Sequence, residues 1–254
     1  MKILAITQAR IGSTRFPEKI LKTINGESLL EIHLKRVLKS GLITKLIVAT
    51  TVEPDAEKIV SIANTLGIEA YKGSVNNVLD RFYKSAILEN PDWVVRLTSD
   101  CPLIDPDVID RVIKYALEND FDYVSNTLEP SYPDGLDTEV FKFSALEKAF
   151  NEAKLISEQE HVTPYIWKNS SYKGGDIFSS DCIRNEKDLS TVRLTVDTLA
   201  DFMVIEKLIQ ILGTNKSWME YVEVLEQHSE VKNLNAHFTR NEGYIKSINL
   251  DNSI

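Results

Sequence analysis

Two cysteines, Cys101 and Cys182, are too few for the disulfide framework of a small secreted domain, and neither has a cysteine or histidine at ligand spacing. Both read as packing residues. No apolar run approaches the ~20 residues needed to span a bilayer. The opening ten residues also lack the apolar stretch of about 7–15 that marks a secretory signal. The expectation is a cytoplasmic chain with no membrane partner. A basic excess is missing as well: 29 Lys and Arg face 38 Asp and Glu, for a formal charge of −9. That argues against a nucleic-acid surface, although one local cluster of cations suffices for a small anion. Glycine-rich phosphate motifs are absent, both the Gly-Lys-Ser/Thr ending and Gly-x-Gly-x-x-Gly. The four histidines, at 33, 161, 228 and 237, suggest no metal site, and no Ser-His-Asp or Cys-His set stands out.

What is present is alternation. Residues 3–7, 46–51 and 93–98 are short β-branched apolar runs that read as buried strands. Residues 68–71 and 121–125 read as further strands. Helix-period segments fall between them, at 28–40, 55–66, 78–89 and 107–118, the first opened by Ser28 with Glu31 three residues on. From 131 to 190 the pattern loosens, with helices expected at 144–154 and 158–168. Residues 192–196 return as a strand and 199–212 as a helix. The expected fold is a single α/β domain over 1–254, a Rossmann-like mostly parallel sheet flanked by helices, with an inserted lobe at about 131–190. Ligands of such sheets bind beyond the carboxyl ends of the strands, so the loops after Thr7, Thr51 and Thr98 should share one edge.

The first of these loops carries the most chemistry. Gln8-Ala9-Arg10-Ile11-Gly12-Ser13-Thr14-Arg15-Phe16-Pro17-Glu18-Lys19 sets three cations against one acid within twelve residues. Gly12 lets backbone amides approach an anion, and Arg10, Arg15 and Lys19 can neutralise phosphate oxygens. The bland alternative is a solvated basic loop. Asp100, just past the strand at 93–98 and before Cys101-Pro102, is placed to bind Mg2+. A turn or capping aspartate is the alternative there.

The loop resembles the signature of sugar-acid cytidylyltransferases, which activate 3-deoxy-manno-octulosonate and sialic acids, and in detail the spore-coat polysaccharide branch. The resemblance continues through Gly73-Ser74 to Val78–Tyr83, Arg96–Pro106, Glu160–Ile166 and Arg193–Thr198, in that order. It implies a fold related to nucleotidyltransferases and glycosyltransferase A domains. It also implies a Mg2+-dependent transfer of CMP from CTP to an acidic sugar with release of pyrophosphate. Arg10, Arg15 and Lys19 would then be catalytic. Gln8, Ala9, Gly12, Ser13, Thr50, Arg81, Thr98 and Asp100 would join them around the nucleotide. Asp197 matches the family's second metal carboxylate beside Asp100, with Asp201 in reserve as an assistant or a helix cap. Thr138, Glu139, His161 and Tyr165 fall on the sugar side, where His161 is expected to contact substrate or serve structure. The resemblance favours a legionaminic or sialic type of 2-keto-3-deoxy acid, and a homodimer formed through the lobe. Two rivals keep the fold: a nucleotidylyltransferase for a sugar phosphate, and a glycosyltransferase using Asp105-Pro106-Asp107 as its metal motif. A binding-only regulatory domain is the non-enzyme alternative.

Overall fold

In the computed structural model, which describes residues 1–13 and 15–252, the chain builds a seven-stranded sheet with helices on both faces. Strand β1 (Ile3–Gln8) leads through a loop and a two-residue hairpin, β2 (Thr23–Ile24) and β3 (Glu27–Ser28), into helix α1 (Leu29–Val37). Then follow β4 (Lys45–Thr51), α2 (Glu57–Thr65), β5 (Glu69–Gly73), α3 (Val78–Ile87), β6 (Trp93–Thr98), α4 (Pro106–Asn119) and β7 (Tyr123–Ser125). The remainder comprises β8 (Glu139–Lys142), α5 (Phe143–Glu152), α6 (Ile156–His161), α7 (Pro164–Lys168) and β9 (Ser180–Cys182). Helices α8 (Leu199–Leu212), α9 (Trp218–Gln227), α10 (Ser229–Lys232) and α11 (Glu242–Asp251) close the chain.

The sheet order is β5-β4-β1-β6-β8-β7-β9. All neighbours run parallel except β8, which is antiparallel to β6 and β7. Side chains alternate across the pleat. Ile3 and Ala5 of β1 join the core under α1, α2, α4 and α8, while Leu4 and Ile6 join the one under α3 and α5. Burial on both faces is why these strands are apolar throughout. Ser28 caps α1 by accepting from the Glu31 amide at 3.1 Å, as its spacing predicts. The segment 131–190 gives β8 and β9 to the main sheet and α5–α7 to one face of it.

Two expected elements differ. The helix at 158–168 is two helices, because Val162 adopts φ 71° and Pro164, with no amide to donate, can only begin a new one. Residues 192–196 are buried but are no strand. They lean on irregular backbone, with Leu194 N donating to Asp134 O at 2.6 Å and Val196 N to Asp100 O at 2.8 Å, and form a single bridge at Arg193. Gly135, at φ 111°, permits this approach; a Cβ there would lie 2.6 Å from the Leu194 carbonyl carbon.

Candidate functional site

Parallel register brings the strand ends together: Gln8 lies beside both Ala49 and Thr98. From this edge the first loop departs with Arg10 and Arg15 exposed and Lys19 partly buried. Thr14 lies outside the described residues. The Ser13 hydroxyl accepts from the Phe16 amide at 3.4 Å, and the Ala9 amide donates to Ala49 O at 3.1 Å, which keeps the loop's root in the sheet. Gln8 Oε1 and Thr50 Oγ1 are buried and have no hydrogen-bond partner among the described residues. Such groups call for a partner that no described residue supplies.

Lys19 is the centre of the arrangement. Its Nζ donates to Asp100 Oδ2 at 2.9 Å and to Asp197 Oδ1 at 2.7 Å. Two carboxylates far apart in the chain thus converge on one ammonium. Burial opposes the charge on Lys19, but the two acids outweigh it and raise its pKa. Burial likewise pushes Asp100 upward, and Lys19 overrides it, holding the carboxyl well below the usual range. Asp197 Oδ2 meets two more cations, Arg15 and Arg193, each at 3.1 Å. The Thr98 hydroxyl lies 3.3 Å from Cys101 Sγ, and Cys101 is buried as packing.

Asp201 is a cap. Fully buried, it accepts from the amides of Asp197 and Thr198 and from Arg193 Nε at 2.8 Å. Those bonds hold Asp197 at the start of α8 and leave Asp201 no free role in binding a cation. Asp105 is also a cap: it accepts from the amides of Asp107 and Val108 and, through its other oxygen, from Trp218 N at 2.9 Å. Its place beneath α4 removes the Asp-x-Asp rival. Arg81 is 1% exposed, and its neighbour Asp80 pairs with Lys84. Arg81 donates to Ser74 O at 2.9 Å, and burial together with nearby Arg10 pushes its pKa down to about 10.

On the other side of the site, Glu139 on β8 is buried and fully engaged. Arg96 lies opposite it in register on β6 and forms an ion pair with it. The hydroxyls of Tyr123 and Thr163 donate to its second oxygen at 2.7 and 2.5 Å. Thr138 donates its hydroxyl to Leu136 O at 3.3 Å, and the Tyr165 hydroxyl is engaged by Glu152. His161 closes α6, with Nε2 3.0 Å from Ser247 Oγ of α11 and its ring edge-on to Tyr244. Burial, helped by Arg96, pushes its pKa down to about 4, so the ring is neutral.

Several functional candidates escaped the sequence reading. Arg193 ties together Asp134, Asp197 and Asp201 and is 7% exposed. Its signals were its place at the head of the resembling segment Arg193–Thr198 and four residues before Asp197. Arg96 had a clearer one: a cation inside an apolar strand needs a buried carboxylate. The pair Arg240–Asp137 and the contacts of α11 had no local signal.

Cations facing paired carboxylates at the carboxyl edge of a mostly parallel sheet define a nucleotidyltransferase-type α/β protein. The chain belongs to the cytidylyltransferase family, whose profile matches residues 4–242. It is 32% identical over 219 residues to the spore coat polysaccharide biosynthesis protein SpsF of Bacillus subtilis, covering 83% of this chain and 88% of that protein. Against 3-deoxy-manno-octulosonate cytidylyltransferase of Geotalea daltonii it is 37% identical over 121 residues, 47% of this chain and 46% of that one. A solved cytidylyltransferase from Leptospira borgpetersenii superposes with a TM-score of 0.86 at 32% identity, covering 94% of this chain and 98% of that one.

Proposed function

We propose that this protein transfers CMP from CTP to the anomeric hydroxyl of a 2-keto-3-deoxy sugar acid, releasing pyrophosphate. The observation that carries the reading is the convergence of Asp100, Asp197 and Lys19 beside a loop that also bears Arg10 and Arg15. Arg10, Arg15 and Lys19 hold the triphosphate and take up the charge that develops on the leaving pyrophosphate. Gln8 and Thr50, with unpartnered buried oxygens at the strand ends, face the nucleoside, and Gly12 and Ser13 offer backbone amides to the phosphates.

Mg2+ suits this donor set. Asp100 and Asp197 already share one point of positive charge, and no group of three or more His, Cys, Asp or Glu ligands forms among the described residues. A cation that keeps waters and phosphate oxygens in its shell needs only one or two carboxylates. Bound there, it would neutralise charge on the phosphates of CTP. Arg193 and Asp201 hold the Asp197 side of that site in place.

A legionaminic or sialic type of acid is favoured, and the likeness to SpsF supports a role for the product in polysaccharide biosynthesis. Work in the cytoplasm and a homodimer through 131–190 complete the reading; light scattering tests the dimer. The sugar side is built from Glu139, Arg96 and His161, with Thr138 and Tyr165 supporting the walls. Pyrophosphate release should be measured with Mg2+ across four nucleoside triphosphates and a panel of 2-keto-3-deoxy acids. Release with CTP and one acid supports the reading. Release with a sugar phosphate in place of every acid would replace it.

A further inference from the structure

Helix α11 touches both halves of the site at once. At its first residue, Glu242 Oε2 accepts from Arg15 Nη1 at 2.7 Å, so a carboxylate occupies a cation of the phosphate loop. One turn further on, Ser247 Oγ lies 3.0 Å from His161 Nε2 and donates to Glu160 at 2.6 Å. Tyr244, in the first turn, packs edge-on against His161 and Trp167, and at the far end Asp251 accepts from the Ser157 amide at 3.0 Å. The helix therefore lies along α6, with one end on the nucleotide loop and its middle on the sugar side.

Little apolar burial holds it down. Ser247 is the one buried residue of α11, whereas α8 buries Val204, Ile205, Leu208 and Ile209. Its N-cap, Asn241, sits in the left-handed region at φ 61° and makes no side-chain capping bond. Elements with few buried apolar contacts open at low cost. The Arg15–Glu242 pair is about one-third exposed on each side, so its hold is modest.

We infer that α11 is a displaceable strap over the active site, in which Glu242 holds Arg15 until a triphosphate takes the guanidinium from it. This rests on the phosphate-binding role given above to the first loop. A phosphate oxygen and the Glu242 carboxylate compete for the same donor, and a triphosphate brings more negative charge to it. Loss of that contact leaves the first turn of α11 held by the packing of Tyr244 on His161 and Trp167, so the helix loosens from α6 and frees His161 Nε2 for the second substrate. Nucleotide binding would thereby open the sugar side.

The test is amide hydrogen exchange of residues 242–251 in the full chain with Mg2+, alone, with CTP, and with inorganic tripolyphosphate, in the native protein and Glu242→Gln. Binding is followed in parallel by calorimetry. The strap requires faster exchange in 242–251 when either ligand binds. It also requires Glu242→Gln to show that faster exchange without ligand and to bind tripolyphosphate about two- to fivefold tighter, the range of an exposed ion pair. Ligand binding with unchanged or slower exchange would overturn the strap and leave the phosphate role standing. Failure of both CTP and tripolyphosphate to bind would overturn the phosphate role and the strap with it.

Discussion

The edge proposed for the nucleotide and the side proposed for the sugar are built by different means. The edge hangs on β1, β4 and β6, whose parallel register fixes Gln8, Ala49 and Thr98 side by side and whose side chains are buried on both faces. The sugar side rests on polar contacts between elements far apart in the chain: Arg96 to Glu139, Thr163 to Glu139, Ser247 to His161. Backbone ladders resist displacement because many bonds must break together. Glu139 is itself held on β8 between β6 and β7, whereas the side-chain contacts between α6 and α11 can exchange one at a time. A rigid edge suits phosphate chemistry, where charge must be placed before reaction. An exchangeable wall suits the proposed entry of the sugar acid after the nucleotide.

The largest effect expected is at the rigid edge. Asp100→Asn should reduce pyrophosphate release by about 10²–10³-fold, since it removes preorganised charge from the reacting phosphates. Its thermal unfolding should stay close to that of the native protein; a normal rate would remove Asp100 from the site. Arg193→Gln should act on the fold as well as the rate. It leaves Asp201 buried without its cation and Asp134 with Arg240 alone, at a cost of about 3–5 kcal/mol. Denaturant unfolding checks this, and an unchanged midpoint would show that the network carries no load. Arg15→Ala should raise the KM for CTP about tenfold and lower kcat, with little change in stability because its ion pairs are partly exposed. Unchanged kinetics would return the loop to a solvated surface.

The smallest effect is a matter of protons. His33 sits fully buried in α1, its Nδ1–H donating to Cys101 O at 2.9 Å and its Nε2 accepting from the Thr7 hydroxyl at 3.1 Å. Burial pushes its pKa down to about 4, as it does for His161. Both groups bind a proton more readily in the unfolded chain. Their contribution to stability is therefore full above about 6.5 and is lost as pH falls towards about 4. Asp134 works in the opposite sense. Burial and Asp137 raise its carboxyl to about 7 against the pull of Arg240 and Arg193, so its contribution is lost as pH rises towards that value. Because these slopes oppose one another, the clean reading is NMR titration of the imidazole rings. Both should stay neutral down to about pH 4; protonation of His161 near its ordinary value would place it in an open, solvated pocket.

The rigid edge was also the part that could be read from sequence. Its strands are local apolar runs, its loop is contiguous, and Asp100 and Asp197 each follow a buried segment. The run at 192–196 misled because an apolar β-branched segment reports burial, and burial here came without a sheet neighbour. Pro164 was visible in the sequence, yet the apolar period on either side of it suggested one helix where there are two. The sugar side was legible only where a residue contradicted its surroundings, as Arg96 does in β6. Glu242, Ser247 and Asp251 lie in a polar tail whose contacts depend on a chain that has already folded, and no spacing rule announces them.

The account stands on CMP passing intact from CTP to a sugar acid. The most direct measurement is phosphorus NMR of the full chain with Mg2+, CTP and the acid that supports pyrophosphate release. The account predicts loss of the three triphosphate resonances and growth of two products, pyrophosphate and a single phosphodiester. Appearance of CDP with a phosphorylated sugar, or of inorganic phosphate with no phosphodiester, would contradict it.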